Sequence, residues 1–109
     1  MIVTTLQKVK GRKTIRVLGL VRGNTIRARH IGKDIMAALR GIVGGEVSEY
    51  TKLMAESREQ ALDRMVEQAE ELGANGVLGI HFATSMVMST AAELLAYGTA
   101  VVLEDEESD

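Results

Sequence analysis

Two imidazoles, His30 and His81, and two carboxylates three residues apart, Glu46 and Glu49, are the side chains of this 109-residue chain best suited to hold a divalent metal ion. Borderline metals bind where nitrogen and oxygen donors converge on one point. Carboxylates at i and i+3 share a helix face, so Glu46 and Glu49 can lean toward the same ion. The histidines are not joined by any HxH or HxxxH spacing. With no cysteine in the chain, thiolate sites and disulfides are both excluded. About a dozen helical residues lie between His30 and Glu46, on the order of 15–18 Å, so a site using both must be built between subunits. The same residues also have a structural reading. Glu46 and Glu49 complement the positive end of a helix, and His30 ends a strand beside a turn.

Other chemistries find less support. Gly44-Gly45 precedes a helix, where backbone N–H groups can cradle an anion. Yet no Lys or Arg follows in the first turn, and two carboxylates already occupy that end. Gly73, Gly76 and Gly79 follow a helix and enter a strand, the reverse of the order a dinucleotide fingerprint needs. There is no G-x-S-x-G and no Ser/His/Asp set in a recognisable local context, so the residues point away from an enzyme.

The net charge of −2 conceals an asymmetry. Ten of the 13 Lys/Arg lie in residues 1–45, opposed there by Asp34 alone; residues 46–109 hold fourteen of the 15 acids. Such a split serves nucleic-acid binding, head-to-tail packing of basic on acidic faces, or neutralisation within one fold. Nucleic acid is the least favoured, because the basic residues are not interleaved with aromatic platforms. The aromatics are only Tyr50, Phe82 and Tyr97. A single domain this small, with little bulky filler, gains from burial against copies of itself. Tyr50 and Tyr97 suit either an interface or the core. No apolar run approaches the roughly 20 residues that span a bilayer, and Met1-Ile2-Val3 has no basic segment ahead of it in the manner of a signal peptide. A cytoplasmic location is the expectation.

The elements that must position these residues follow from periodicity. Met1–Leu6 is β-prone, and Thr14–Arg22 alternates as a strand with Ile15, Val17, Gly19 and Val21 on one face. Gly23-Asn24 predicts a two-residue hairpin turn, with Thr25–His30 returning as the partner strand. Asp34–Val43 has helical spacing and ends at Gly44-Gly45. Glu46–Leu72 predicts a long second helix. Its stripe is Leu53, Met54, Ala61, Met65, Ala69 and Leu72, and its wet side is Glu56, Glu59, Asp63, Glu67 and Glu70. Gly73 stops it, and Asn75-Gly76 completes the turn.

Val77–Met88 then reads as a strand with Leu78, Ile80, Phe82, Thr84 and Met86 on one face and Val77, Gly79, His81 and Ala83 on the other. A turn near Ser89-Thr90 leads to a last strand, Leu94–Leu103, whose Gly98 marks a bulge or a close backbone approach. The acidic residues 104–109 are expected to form a solvated, disordered tail after a single domain of residues 1–103. The order is β-β-β-α-α-β-β. This gives an α+β, two-layer fold: a largely antiparallel sheet with two unequal helices on one face. The N-terminal and last strands would be exposed edges that invite a partner.

Several segments carry a family resemblance. They are Arg27-Ala28-Arg29-His30-Ile31-Gly32-Lys33-Asp34-Ile35, Leu39-Arg40-Gly41-Ile42-Val43-Gly44-Gly45-Glu46 and Glu49-Tyr50-Thr51. Ala69-Glu70-Glu71-Leu72-Gly73-Ala74-Asn75-Gly76-Val77 and Ala96-Tyr97-Gly98-Thr99-Ala100-Val101 complete the set. Through them the whole chain, apart from its acidic end, resembles the YbjQ-like family of small proteins labelled heavy-metal-binding. The resemblance implies a dodecin-like subunit that assembles into a ring of five, or ten when two rings stack, and it implies no particular reaction. Two functional expectations follow: a ring that binds a metal ion or small ligand at its subunit junctions, or a purely structural, scaffolding homo-oligomer.

Overall fold

Ala61, Met65 and Ala69 recur every four residues, and the 24-residue helix α1 (Ser48–Glu71) turns all three inward to zero exposure. Glu56, Glu59, Asp63, Glu67 and Glu70 lie on its exposed side, as the periodicity predicts. The C-terminus is closed by two backbone bonds. Gly73 N–H donates to the Glu70 carbonyl, and Ala74 N–H to the Ala69 carbonyl, both at 3.0 Å. This pairing requires a left-handed residue, and Gly73 supplies it with φ of 86°. Leu72, expected in the buried stripe, is instead 48% exposed, because the chain has begun to leave the helix there.

The computed structural model describes residues 1–27, 48–88 and 91–106. Besides α1 it contains β1 (Ile2–Val3), β2 (Arg12–Arg27), β3 (Gly76–Met88) and β4 (Ala91–Asp105). The strands form one mixed sheet in the order β1-β3-β4-β2. β1 runs parallel to β3, and the other two pairings are antiparallel. The architecture is α+β, with α1 on one face. The first predicted helix, Asp34–Val43, lies outside the described residues.

Three sequence expectations need correction. The first is the hairpin at Gly23-Asn24. β2 is one continuous 16-residue strand, with Gly23 paired to Ala96 and Asn24 to Leu95. Gly23 is needed for closeness and not for a turn: a Cβ there would run into the Ala61 carbonyl oxygen and the Met65 nitrogen, and would lie 2.8 Å from the Arg64 Cβ. The helix backbone rests directly on this point of the strand. Thr25–Arg27 thus continue β2, so the described order is β-β-α-β-β.

The second concerns the sheet edges. The last strand is central, between β3 and β2, and it begins at Ala91. The edges are β1 and β2. Beyond β1 the N-terminal chain continues along β3: Ile80 N–H donates to the Thr4 carbonyl and Gly79 N–H to the Leu6 carbonyl. Past Ile80, no described backbone group pairs with the outer side of β3.

The third is the alternation along β3. Gly79 has φ of 60°, and the register with β4 slips between Leu78 and His81. The bulge puts Val77 and Ile80 in one cluster with Val21, Ala96, Ala100 and the helix stripe, while Leu78 joins Val101 and Leu103 in a second one, flanked by Ile2 and Val9. Gly98 lies opposite the bulge, where a Cβ would sit 2.8 Å from Val77 Cγ1. This is the close approach expected of it.

The acidic end also differs from expectation. β4 carries Glu104 and Asp105 opposite Lys13 and Arg12, and the Arg12 guanidinium meets the Asp105 carboxylate at 2.8 Å. The cross-strand basic pair draws the first two acids into the ladder. Residues 107–109 lie outside the described set. The resulting molecule is elongated, 63 × 26 × 16 Å, with a radius of gyration of 17.9 Å, against about 13 Å for a compact domain of this size.

Candidate functional site

β3, β4 and β2 present a row of polar side chains on the sheet face turned away from α1. The register sets His81, Tyr97 and Arg22 abreast. His81 is exposed, and its ring lies 5.7 Å from that of Tyr97 at an interplanar angle of 33°. Tyr97 is half-buried. Two rungs along, the Asn24 amide donates to Glu93 Oε2 at 3.2 Å, and Glu93 stands opposite Ser85. Ser85 lies four steps along β3 from His81, on the order of 13 Å. His81 and Glu93 therefore share a face without converging on one ion.

Of the four predicted ligand residues, His81 alone has a described side chain. His30 and Glu46 lie outside the described residues, and Glu49 is in the first turn of α1 with its side chain outside them. Among the described residues, no three His, Cys, Asp or Glu side chains gather closely enough to hold a metal ion. Any metal on His81 draws its other donors from outside that set or from a second chain.

The opposite face holds a feature the sequence reading missed. A helix about 10 Å across covers two strands spaced about 4.8 Å apart. α1 rests on β2 and β4, and among the described residues little covers β3. Phe82 and Met86, expected on one strand face with Leu78 and Ile80, are 45% and 70% exposed. Phe82 lines an open groove with Ala55, Arg58, Glu59 and Leu62 of α1. At the far edge, Ile15, Val17 and Leu20 of β2 are exposed at 49%, 65% and 65%.

An α+β fold with a mixed four-stranded sheet, one helix among the described residues, apolar borders and a polar outer face defines the class. Comparison with known sequences gives the family. Residues 1–104 match the YbjQ family, described as "Putative heavy-metal-binding", and the chain belongs to it. It is 58% identical over 104 residues to a UPF0145 protein of Dehalococcoides mccartyi, covering 95% of this chain and 100% of that one. A UPF0145 protein of Thermococcus kodakarensis is 57% identical over 107 residues, covering 98% and 94%. The fold is similar to that of a crystal structure from Pediococcus pentosaceus, a protein of unknown function in the DUF74 family. The TM-score is 0.65 at 15% identity, covering 95% of this chain and 98% of that one. No helix among the described residues is long and apolar enough to cross a membrane.

Proposed function

We propose that the chain is a non-catalytic, ring-forming subunit that holds a divalent metal ion or a small ligand where subunits meet. The observation that carries this reading is the exposure of large apolar residues at both borders of the sheet, Ile15, Val17 and Leu20 on one side and Phe82 and Met86 on the other. Borders of this kind on a small, elongated domain favour contact with further copies. Because the two borders differ, the contact is head-to-tail, and a head-to-tail contact that closes gives a ring. The family resemblance suggests five dodecin-like subunits, or ten. The family description supports metal as the ligand, and His81, exposed on the outer face, is the described residue that would contribute a nitrogen donor. His30, Glu46 and Glu49 complete the candidate set. A cytoplasmic setting suits a chain without cysteine.

Native mass spectrometry of the full chain with elemental analysis tests both parts. An oligomer carrying added metal mass, lost in His81→Ala or His30→Ala, supports the reading. An oligomer at a bare multiple of the chain mass, unchanged by zinc or copper, supports the scaffolding alternative. A single chain at micromolar concentration ends both.

A further inference from the structure

The chain holds two asparagines, Asn24 and Asn75, and Asn75 is followed by glycine. The amide carbon of an asparagine lies within reach of the next residue's backbone nitrogen, and that residue's own side chain is what hinders the approach. Glycine has none. Asn24 is followed by Thr25, whose branched Cβ crowds the same path. Asn75-Gly76 is therefore the place in this chain most open to spontaneous deamidation.

Packing accounts for both residues and also holds them apart. The Asn75 amide donates to the Leu103 carbonyl at 2.9 Å and accepts from Leu103 N–H at 2.7 Å. Its backbone N–H donates to the Val101 carbonyl at 3.1 Å, and its carbonyl accepts from Ile2 N–H at 3.0 Å. Glycine at position 76 makes room for Leu103, since a Cβ there would lie 2.8 Å from Leu103 Cδ1. The Ile2 bond fixes the peptide plane that carries the Gly76 nitrogen, and the Leu103 bonds fix the plane of the amide. For nitrogen and carbon to meet, the amide must first rotate off Leu103. Asn75 is exposed, so water reaches it, while Gly76 is buried.

From these features we propose that Asn75-Gly76 is a self-modifying site, guarded by Leu103 and converted only while the C-terminal end of β4 is detached. In the open chain the Gly76 nitrogen gives its proton to water and attacks Asn75 Cγ. The bond from Gly76 N to Asn75 Cγ forms, the bond from Cγ to Nδ2 breaks, and the amide leaves as ammonia. Water then opens the succinimide ring, so the net change is water taken up and ammonia released. Opening at Cγ gives aspartate. Opening at the main-chain carbonyl gives isoaspartate, whose backbone runs through the side chain. Neither product rebuilds the clasp. Aspartate accepts from Leu103 N–H but has no hydrogen to donate to the Leu103 carbonyl. Isoaspartate adds a methylene to the main chain just where β3 begins. The change runs one way, so it accumulates with the time this end of the sheet spends open.

Peptide-mapping mass spectrometry of the full chain, kept folded or unfolded in urea at the same mildly alkaline pH, tests this. Residue 75 should pass from amide to acid about a hundredfold more slowly in the folded chain than in the unfolded one. Isoaspartate should be among the products, and Asn24 should lag behind in urea. Leu103→Ala should speed conversion in the folded chain at least about tenfold, with circular dichroism confirming its fold. Wild-type chain in urea below its unfolding midpoint gives the same reading without a substitution, and its rate at residue 75 should rise with urea. Equal rates in folded and unfolded chains overturn the guard. An amide at residue 75 that survives unfolding overturns the site. A folded-state rate that responds to neither Leu103→Ala nor sub-denaturing urea overturns the role of β4 opening.

Discussion

Gln68 of α1 accepts a hydrogen bond from the backbone N–H of Arg22, 46 residues away, at 2.7 Å. With Arg64 on the Asn24 carbonyl, it covers the open side of an edge strand that would otherwise offer free backbone groups to any passing chain. Gln68→Ala exposes that N–H to water, so the loss of stability should stay near about 1 kcal/mol. The larger effect should be on solubility. Light scattering of the variant at raised concentration is expected to show extra association absent from the wild type. Equal scattering would mean that the cap protects nothing.

Gly23 is the contact point between helix and sheet. Gly23→Ala places a methyl group against the Ala61 carbonyl and the Met65 nitrogen, and main chain gives way poorly. A loss of about 3 kcal/mol in urea unfolding is expected. Gly11→Ala is the control: nothing lies within 4 Å of its Cβ position, and only its φ of 82° is penalised, at about 1 kcal/mol. Equal effects at the two positions would refute the close-approach role.

Asn75 ties the end of the helix turn to β4. Its amide donates to the Leu103 carbonyl at 2.9 Å and accepts from Leu103 N–H at 2.7 Å. Asn75→Ala removes both bonds and should cost about 1–2 kcal/mol in thermal or urea unfolding. Asn75→Asp keeps the acceptor and should cost less. If Asp proves as damaging as Ala, the acceptor bond contributes little.

Assembly directed by opposite charges should weaken with salt. Raising ionic strength from 0.1 to 1 M shortens the screening length from about 10 Å to about 3 Å. Sedimentation across that range should show a shift toward smaller species. A distribution that does not move would assign the association to apolar contact alone.

How much of this was legible in the residues depends on the distance between a residue and its reason. The helix from Ser48 to Glu71 was plain, because its stripe and its stop at Gly73 are local patterns. Gly23-Asn24 was misread because glycine serves two purposes under one letter. One is a positive φ, decided by its neighbours; the other is a missing side chain, decided here by Ala61 and Met65. Likewise, strict alternation put Phe82 on one face with both Leu78 and Ile80, which the structure separates into two clusters. Neither the slip at Gly79-Ile80 nor the width of one helix is written near residue 82. Of the candidate site, His81 was recognised as an imidazole on a strand. Its neighbours Tyr97 and Arg22 were not, since they come beside it only through the register of three strands.

The central place of β4 has a consequence for how the chain comes to be folded. β1 and β2 leave the ribosome early, yet each waits for a partner from beyond residue 75, and β2 waits for the final strand of the set. Until Ala91–Asp105 is made, β2 and β3 lack the strand that joins them in the described sheet. Sheet formation must therefore follow synthesis almost to its end, as expected for a topology of high contact order. In that interval its unpaired strands are the part of the chain most exposed to aggregation.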